Sequence, residues 1–408
     1  MKHKIYILTL AATLLAVGCS DDNDSPVVKR DSVPIAFAGD MKAEEAVTRA
    51  GGEEVSLTEY SNQFVVAGYK NTPADGLKDV MKGYTVRWAA NTAGSTVSNT
   101  TDWEYVGIAT DQDVKHWDFA ATDYRFFAYV PSRGDNRKGA NPYNYSVSTS
   151  DVSDGKVAIT FSNLESATSY NDGVYVGPKS EGHTISVYDL PLYSDFWCKS
   201  PLDPEVRNET TQKMAPVKLA FRMPFARVKI MFKRSANSAV YAADATVTNI
   251  KFAPILTETT QHRLIKKANF VVTYPLTPEA GSELTTTVVV ATGSETMAEM
   301  TFDDMKKGEP GSYKGILDKV EHPYAASPEY FMFPRKGEHT DFKLSASIGN
   351  ILQECIVPAE LMEWEPGYEY TYIFKILESG GIHLDLIGVG ISQWEYVEEP
   401  FVHEVHNW

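Results

Sequence analysis

The residues closest to a metal-binding pattern lie at the end of the chain, at His403-Glu404-Val405-His406. Imidazole and carboxylate groups are common transition-metal ligands. A zinc-protease motif, however, spaces its histidines four apart on a helix so that both reach one ion. These two are three apart, and in a strand they point to opposite faces. The expectation is no metal. Three cysteines, Cys19, Cys198 and Cys355, are too few for a cysteine zinc cluster or a disulfide-rich fold. A Cys198–Cys355 disulfide is possible in an oxidising compartment, and a buried thiol at Cys355 is the commoner state of a lone strand cysteine. No strand-to-helix serine elbow, phosphate-cradling loop or dinucleotide glycine fingerprint occurs. Acidic pairs such as Asp303-Asp304 and Glu398-Glu399 are expected by chance among 54 acidic residues. A glycosidase pair needs a spatial separation that sequence does not supply. The chain therefore offers no catalytic constellation and calls for no cofactor, and the expectation is that it is not an enzyme.

Two other features could act without catalysis. Arg49 and Ala50 are followed by Gly51-Gly52-Glu53-Glu54, a flexible, polar setting in which a protease could reach the arginine. An ordinary linker arginine would look the same. Trp88, Trp103, Trp117 and Trp197 could stack on sugar rings if exposed, and would otherwise fill cores.

The chain has 408 residues, enough for two or three domains. Its 43 % hydrophobic content is that of a folded protein rather than a disordered one. The formal charge is −16, and becomes −18 if a leader holding Lys2 and Lys4 is removed. So acidic a surface repels a phosphate backbone, which argues against nucleic acid as a partner. It also argues against attachment to an anionic membrane by charge alone. Residues 1–18 read as such a leader: a basic start, an apolar run from Ile5 to Val17 too short to span a bilayer, then small residues. The ending Leu15-Ala16-Val17-Gly18-Cys19 resembles the lipobox of bacterial lipoproteins, with Ala16 where leucine is usual. That resemblance implies a diacylglycerol anchor on Cys19. The cluster Ser20-Asp21-Asp22-Asn23-Asp24 resembles the surface-export signal of Bacteroides-type lipoproteins. On its residues alone it is an acidic, flexible tether over 19–32. As a calcium loop it lacks the spaced ligands and the glycine of an EF-hand.

Beyond residue 32 the period is two, so the fold class expected is all-β. Val228, Ile230 and Phe232 alternate with Lys229, Met231 and Lys233. Phe342, Leu344, Ala346 and Ile348 alternate with polar residues, and Tyr368, Tyr370, Tyr372, Phe374 and Ile376 line one face. Shorter runs include Phe64–Tyr69, Arg125–Val130, Val157–Phe161, Val288–Val290 and Tyr330–Phe333. Turn chemistry separates them, as at Ser153-Asp154-Gly155 and Glu365-Pro366-Gly367. Ser238–Thr246 and Glu295–Lys307 could each be a short helix or a loop. The stretch from Ser200 to Pro216 is polar, holds three prolines and lacks periodicity, which suggests a boundary. The expected division is a β-sandwich domain over 33–205 and a second over 206–408, ending in a tail over 394–408.

Several local patterns, in order, are similar to the fimbrillin family of pilus subunits from Bacteroides- and Porphyromonas-type bacteria. They are Val33-Pro-Ile-Ala-Phe37, Val47-Thr48-Arg49-Ala50, Phe64-Val65-Val66-Ala67-Gly68-Tyr69, Phe126-Phe127-Ala128-Tyr129-Val130-Pro131, Leu219 to Val228, Pro366-Gly367-Tyr368-Glu369-Tyr370 and Ile391-Ser392-Gln393-Trp394. Many relatives carry a histidine near Met223 or Pro224, and this chain does not. The resemblance implies two tandem transthyretin-like β-sandwiches on an outer-membrane, surface-exposed lipoprotein. It further implies that an arginine-specific protease cuts between Arg49 and Ala50, and that other fimbrial subunits join by strand exchange. Val33, Ile35 and Phe37 would form the displaced strand. Trp394, Tyr396, Phe401, Val402, Val405 and Trp408 would supply the donor strand, unless the tail simply closes its own domain. The function expected is a structural subunit of surface fimbriae. The alternative is a non-polymerising surface lipoprotein that binds glycans or serves as a pilus tip or anchor adhesin.

Overall fold

The computed structural model describes residues 33–41, 57–89, 102–131, 145–170, 174–176, 184–186, 191–198, 200–204, 206–207, 214–234, 247–257, 263–277, 283–290, 296–302, 323–326, 330–348, 351–376, 382–384 and 390–392. The protein is all-β over these residues, apart from a helical turn at Leu57–Tyr60 (α1) and a tighter turn at Ala359–Leu361. The strands of the first half are β1 (Phe37–Met41), β2 (Gln63–Thr72), β3 (Gly76–Trp88), β4 (Trp103–Glu104), β5 (Asp123–Tyr129), β6 (Ser146–Thr149), β7 (Lys156–Glu165), β8 (Ala167–Tyr170), β9 (Val174–Val176), β10 (Thr184–Ser186) and β11 (Tyr193–Cys198). Next come β12 (Val217–Phe221), β13 (Ala226–Arg234), β14 (Val247–Pro254), β15 (Leu264–Ile265), β16 (Lys267–Pro275), β17 (Thr285–Val289), β18 (Thr296–Met297) and β19 (Met300–Phe302). The last are β20 (Pro323–Ala326), β21 (Tyr330–Met332), β22 (Phe342–Ile348), β23 (Ile351–Val357), β24 (Glu369–Ile376), β25 (Ile382–Leu384) and β26 (Gly390–Ser392).

Seven strands form one sheet in the order β11-β5-β2-β3-β4-β1-β12. Its two ends meet. Arg222, one residue past β12, exchanges two backbone hydrogen bonds with Tyr193 of β11, at 3.0 and 2.9 Å. The sheet is thereby rolled into a ring, which removes the exposed edges an open sheet would present. Inside it lie Ile35, Phe37, Phe64, Val66, Tyr105, Trp117, Tyr124, Phe126 and Phe221, all fully or almost fully buried. The rings meet edge to face, Phe37 with Phe126 at 5.5 Å and Trp117 with Tyr124 at 4.7 Å. A four-stranded sheet, β17-β16-β7-β6, covers the outer face of β5 and β11. There Phe127 stacks on Tyr274 at 4.8 Å and Tyr193 meets Phe270 at 5.7 Å. Strand β5 is consequently buried on both faces.

The alternation read at Val228, Ile230 and Phe232 belongs to β13, and all three are buried. They join Phe252, Phe342, Leu344, Trp364, Tyr372 and Phe374 in a second core. This core lies between a sheet containing β21-β13-β24 and the sheet β19-β14-β22-β23. At its heart Trp364 donates its indole N–H to the Tyr372 hydroxyl (2.9 Å), which donates to the Leu361 carbonyl (2.6 Å). That chain satisfies both buried polar tips.

The turn chemistry is realised as read at Asp154-Gly155. Both residues have positive φ, 50° and 65°, and Ser153 and Lys156 exchange hydrogen bonds across them. This is the two-residue primed turn whose twist suits a hairpin. A side chain at Gly155 would also come within 2.6 Å of the Thr277 hydroxyl.

One sequence expectation differs from the structure. Residues 296–302 form β18 and β19 instead of helix or loop: Met300 and Phe302 are buried on either side of exposed Thr301, and cross-strand pairing with β14 decides the outcome. Ser238–Thr246 lies outside the described residues. The unpatterned stretch after Ser200 is more than a linker, because Val206 is fully buried in the first core and its carbonyl accepts from the Ala215 N–H (2.7 Å). The two cores also interleave along the chain. Val217, Leu219, Phe221, Phe270, Val272 and Tyr274 all pack in the first.

Candidate functional site

Val33, Ile35 and Phe37 lie on one thread of backbone that closes the ring. At Val33–Ala36 the chain runs beside residues 115–117. The Ile35 N–H donates to the Lys115 carbonyl (2.7 Å) and the Trp117 N–H to the Val33 carbonyl (2.9 Å). The Tyr105 hydroxyl donates to the Ile35 carbonyl at 3.0 Å. Burial raises the Tyr105 pKa well above the ordinary phenol value, so it stays a protonated donor at any physiological pH. The Val217 N–H then donates to the Ala36 carbonyl (2.7 Å), and β1 continues parallel to β12, from Phe37 opposite Val217 to Met41 opposite Phe221. On its other side Phe37 pairs with Trp103 of β4.

The side chains explain why this segment fits. Ile35 and Phe37 are fully buried, while Val33 is half-buried against the same core. The next inward position is Gly39. A Cβ there would lie 2.7 Å from Leu57 Cδ2 and 2.9 Å from Phe64 Cε1, so β1 approaches α1 and β2 as closely as backbone allows. Each fully buried anchor contributes roughly 1.5–3 kcal/mol. The thread is held by two such anchors, by bonds along both flanks and by the absence of a side chain at Gly39.

β1 ends at Met41, and the next described residue is Leu57, fully buried at the start of α1. The intervening residues 42–56 include Arg49 and Ala50, which lie outside the described residues. A cut there would divide the chain between two elements seated in one core. Cys19, the donor candidates Trp394, Tyr396, Phe401, Val402, Val405 and Trp408, and the His403–His406 pattern also lie outside the described residues. Among the described residues no group of three His, Cys, Asp or Glu side chains could hold a metal ion. Cys198 is buried and Cys355 half-buried, and they are not joined to each other.

The four tryptophans divide. Trp103 and Trp117 are buried in the first core, and Trp197 lies half-buried with the Arg125 guanidinium 4.2 Å from its ring centre. Trp88 is the most open of them, at 41 % exposure, and meets Trp103 edge to face at 5.3 Å. Sequence reading missed Tyr105 and Gly39 as parts of the site. A glycine at an inward position of a strand pattern is a signal for Gly39, while the role of Tyr105 depends on contacts with residues 35 and 115.

No family model matches the chain, and no curated protein is found similar to it. Solved structures do align over most of its length. A candidate cell adhesion protein from Bacteroides uniformis is 13 % identical, with a TM-score of 0.38, over 89 % of this chain and 98 % of that one. One described in the same words from Bacteroides ovatus is 13 % identical with a TM-score of 0.40, over 90 % and 99 %. A fimbrial assembly protein from Parabacteroides distasonis is 12 % identical with a TM-score of 0.31, over 86 % and 98 %. Scores of this size do not establish a common fold, and the functional reading below rests on the chain's own residues.

Proposed function

We propose that this protein is a structural, non-enzymatic subunit of surface fimbriae, secreted as an outer-membrane lipoprotein on Cys19 and assembled by strand exchange. The observation that carries the reading is the place of β1: it is the strand between β4 and β12, and the segment leading into it puts Ile35 and Phe37 into the ring's core. Loss of residues 33–41 would leave unpaired backbone along β12 and a groove lined by Tyr105, Phe126 and Phe221. An apolar strand from another chain can meet both needs by β-augmentation. The C-terminal residues Trp394–Trp408 are the donor in this reading, and Arg49 is the bond at which an arginine-specific protease releases β1. Head-to-tail addition of this kind extends a filament and does not close a ring.

Mass spectrometry of the purified precursor, before and after limited digestion with an arginine-specific protease, tests this directly. The expected product begins at Ala50 and runs as a ladder of oligomers on a mildly heated denaturing gel. An uncut Arg49, or a clean cut giving only monomer, would reject polymerisation by this route.

A further inference from the structure

A second site lies where the two cores adjoin, away from β1. The chain crosses between them at Phe225, which belongs to the first core and packs on Phe333 at 5.2 Å. The Gly367 N–H donates to the Phe225 carbonyl (2.8 Å) and the Arg227 N–H to the Tyr368 carbonyl (2.8 Å). Beside this junction is a cleft of about 450 Å³, within the range of small-molecule sites. One wall is the inner side of β17 with Arg222, and the other is the pair of segments around Lys336–Glu338 and Glu365–Tyr368.

The charges of the cleft are already answered. Arg222 donates to Asp195 at 2.6 Å, Lys336 faces Glu365 at 3.3 Å, and Glu338 Oε2 lies 2.8 Å from the buried Arg335 guanidinium. Arg335 is itself held over the rings of Phe342 (4.9 Å) and Trp364 (5.8 Å), which fixes the carboxylate it carries. The lining holds two cations, Arg222 and Lys336, and two anions, Glu338 and Glu365, so no net field draws an ionic ligand. An ion would have to break one of these pairs. Hydrogen-bonding capacity nevertheless remains. Thr286 lines the cleft from the same side of β17 as Val288, and Glu338 Oε2, although 2.8 Å from Arg335 Nη2, is buried without a hydrogen-bond partner. Val288 and Pro366 supply apolar surface beside them.

A ligand matched to this lining is uncharged, donates and accepts hydrogen bonds through the same groups, and carries a C–H face. We infer that the cleft binds a neutral saccharide of one or two rings. Its hydroxyls would donate to Glu338 and exchange with Thr286, and a ring face would lie on the apolar strip. A purely apolar ligand would displace water from the Thr286 and Glu338 oxygens without replacing its hydrogen bonds, which is costly. This site stands apart from strand exchange, since cleavage at Arg49 leaves every residue of it in the chain.

The test is ligand-observed NMR on the full purified chain with a panel of glucose, galactose, mannose, N-acetylglucosamine, lactose and chitobiose. At least one should bind saturably. Thr286→Val, which keeps shape and strand preference, should weaken that binding about tenfold or more without moving the unfolding midpoint. Glu338→Gln should do the same, with its fold checked by circular dichroism because Arg335 loses its partner. Flat titrations across the panel, binding unchanged in Thr286→Val, or binding of a peptide of residues 394–408 at the cleft in place of any sugar would each overturn the proposal.

Discussion

Phe37 and Val33 lie on one thread, but their side chains are held very differently, and that difference makes a measurable order. Phe37 is fully buried and touches Tyr105 and Phe126, so Phe37→Ala removes a large ring from a packed interior. Such truncations cost about 3–5 kcal/mol. Ile35→Val removes one methylene from an equally buried position and should cost about 0.5–1.5 kcal/mol. Val33→Ala, at a half-buried position, should cost less than Phe37→Ala by a wide margin. Urea unfolding of the precursor measures all three. If β1 leaves on maturation, the same Phe37→Ala change should have no effect on a chain already cut at Arg49. Equal losses in the cut and uncut proteins would show that the strand stays. Gly39 acts at this scale by lacking a side chain, since any Cβ there meets Leu57 and Phe64 within 3 Å.

At the scale of elements, β1 and the C-terminal tail are the two halves of one proposal. β1 is short and parallel to β12, and Arg49 follows it in the sequence. The tail follows β26, which pairs with β24 in the second half. A chain lacking Trp394–Trp408 should fold with unchanged circular dichroism and still be cut at Arg49, yet fail to form oligomers. Normal filaments from the truncated protein would remove the tail as donor. Pro400 interrupts the tail's donor row at its own position, so a donor strand would engage in two parts, before and after it. The alternations at 226–234 and 342–348 were legible because each strand has one face on a core, and a period of two records that face directly. β5 was found as a run of β-formers, but its burial on both faces was not legible. Its second cover, β16, comes from a segment about 140 residues later in the chain.

For the whole molecule, the interleaving of the cores predicts how the chain can be divided. A fragment of residues 33–205 lacks β12, which pairs with β1, and β16, which pairs with β7 and covers Phe127. It would expose Phe37, Phe127 and Phe161 together. The expected result is a fragment without a cooperative unfolding transition, whereas residues 33–408 unfold cooperatively; differential scanning calorimetry decides. A fragment that melts sharply would show that the first unit is independent of the strands after residue 205.

Residue types and spacing alone determined that the chain is all-β, which residues face inward in the strands around Val228–Phe232, Phe342–Ile348 and Tyr370–Phe374, and that Asp154-Gly155 is a turn. These are local properties, set by steric preference and by a period of two. Only the tertiary structure decided which strands are partners. β1 lies beside β12, about 180 residues away, and the ring closes through Tyr193 and Arg222. Strand pairing is a choice among many chemically similar edges, and alternation fixes a strand's face without naming its neighbour. That choice is made by the packing of the whole core, where Gly39 admits Leu57 and Phe64, and where two cores adjoin to form a cleft from residues scattered between 193 and 368.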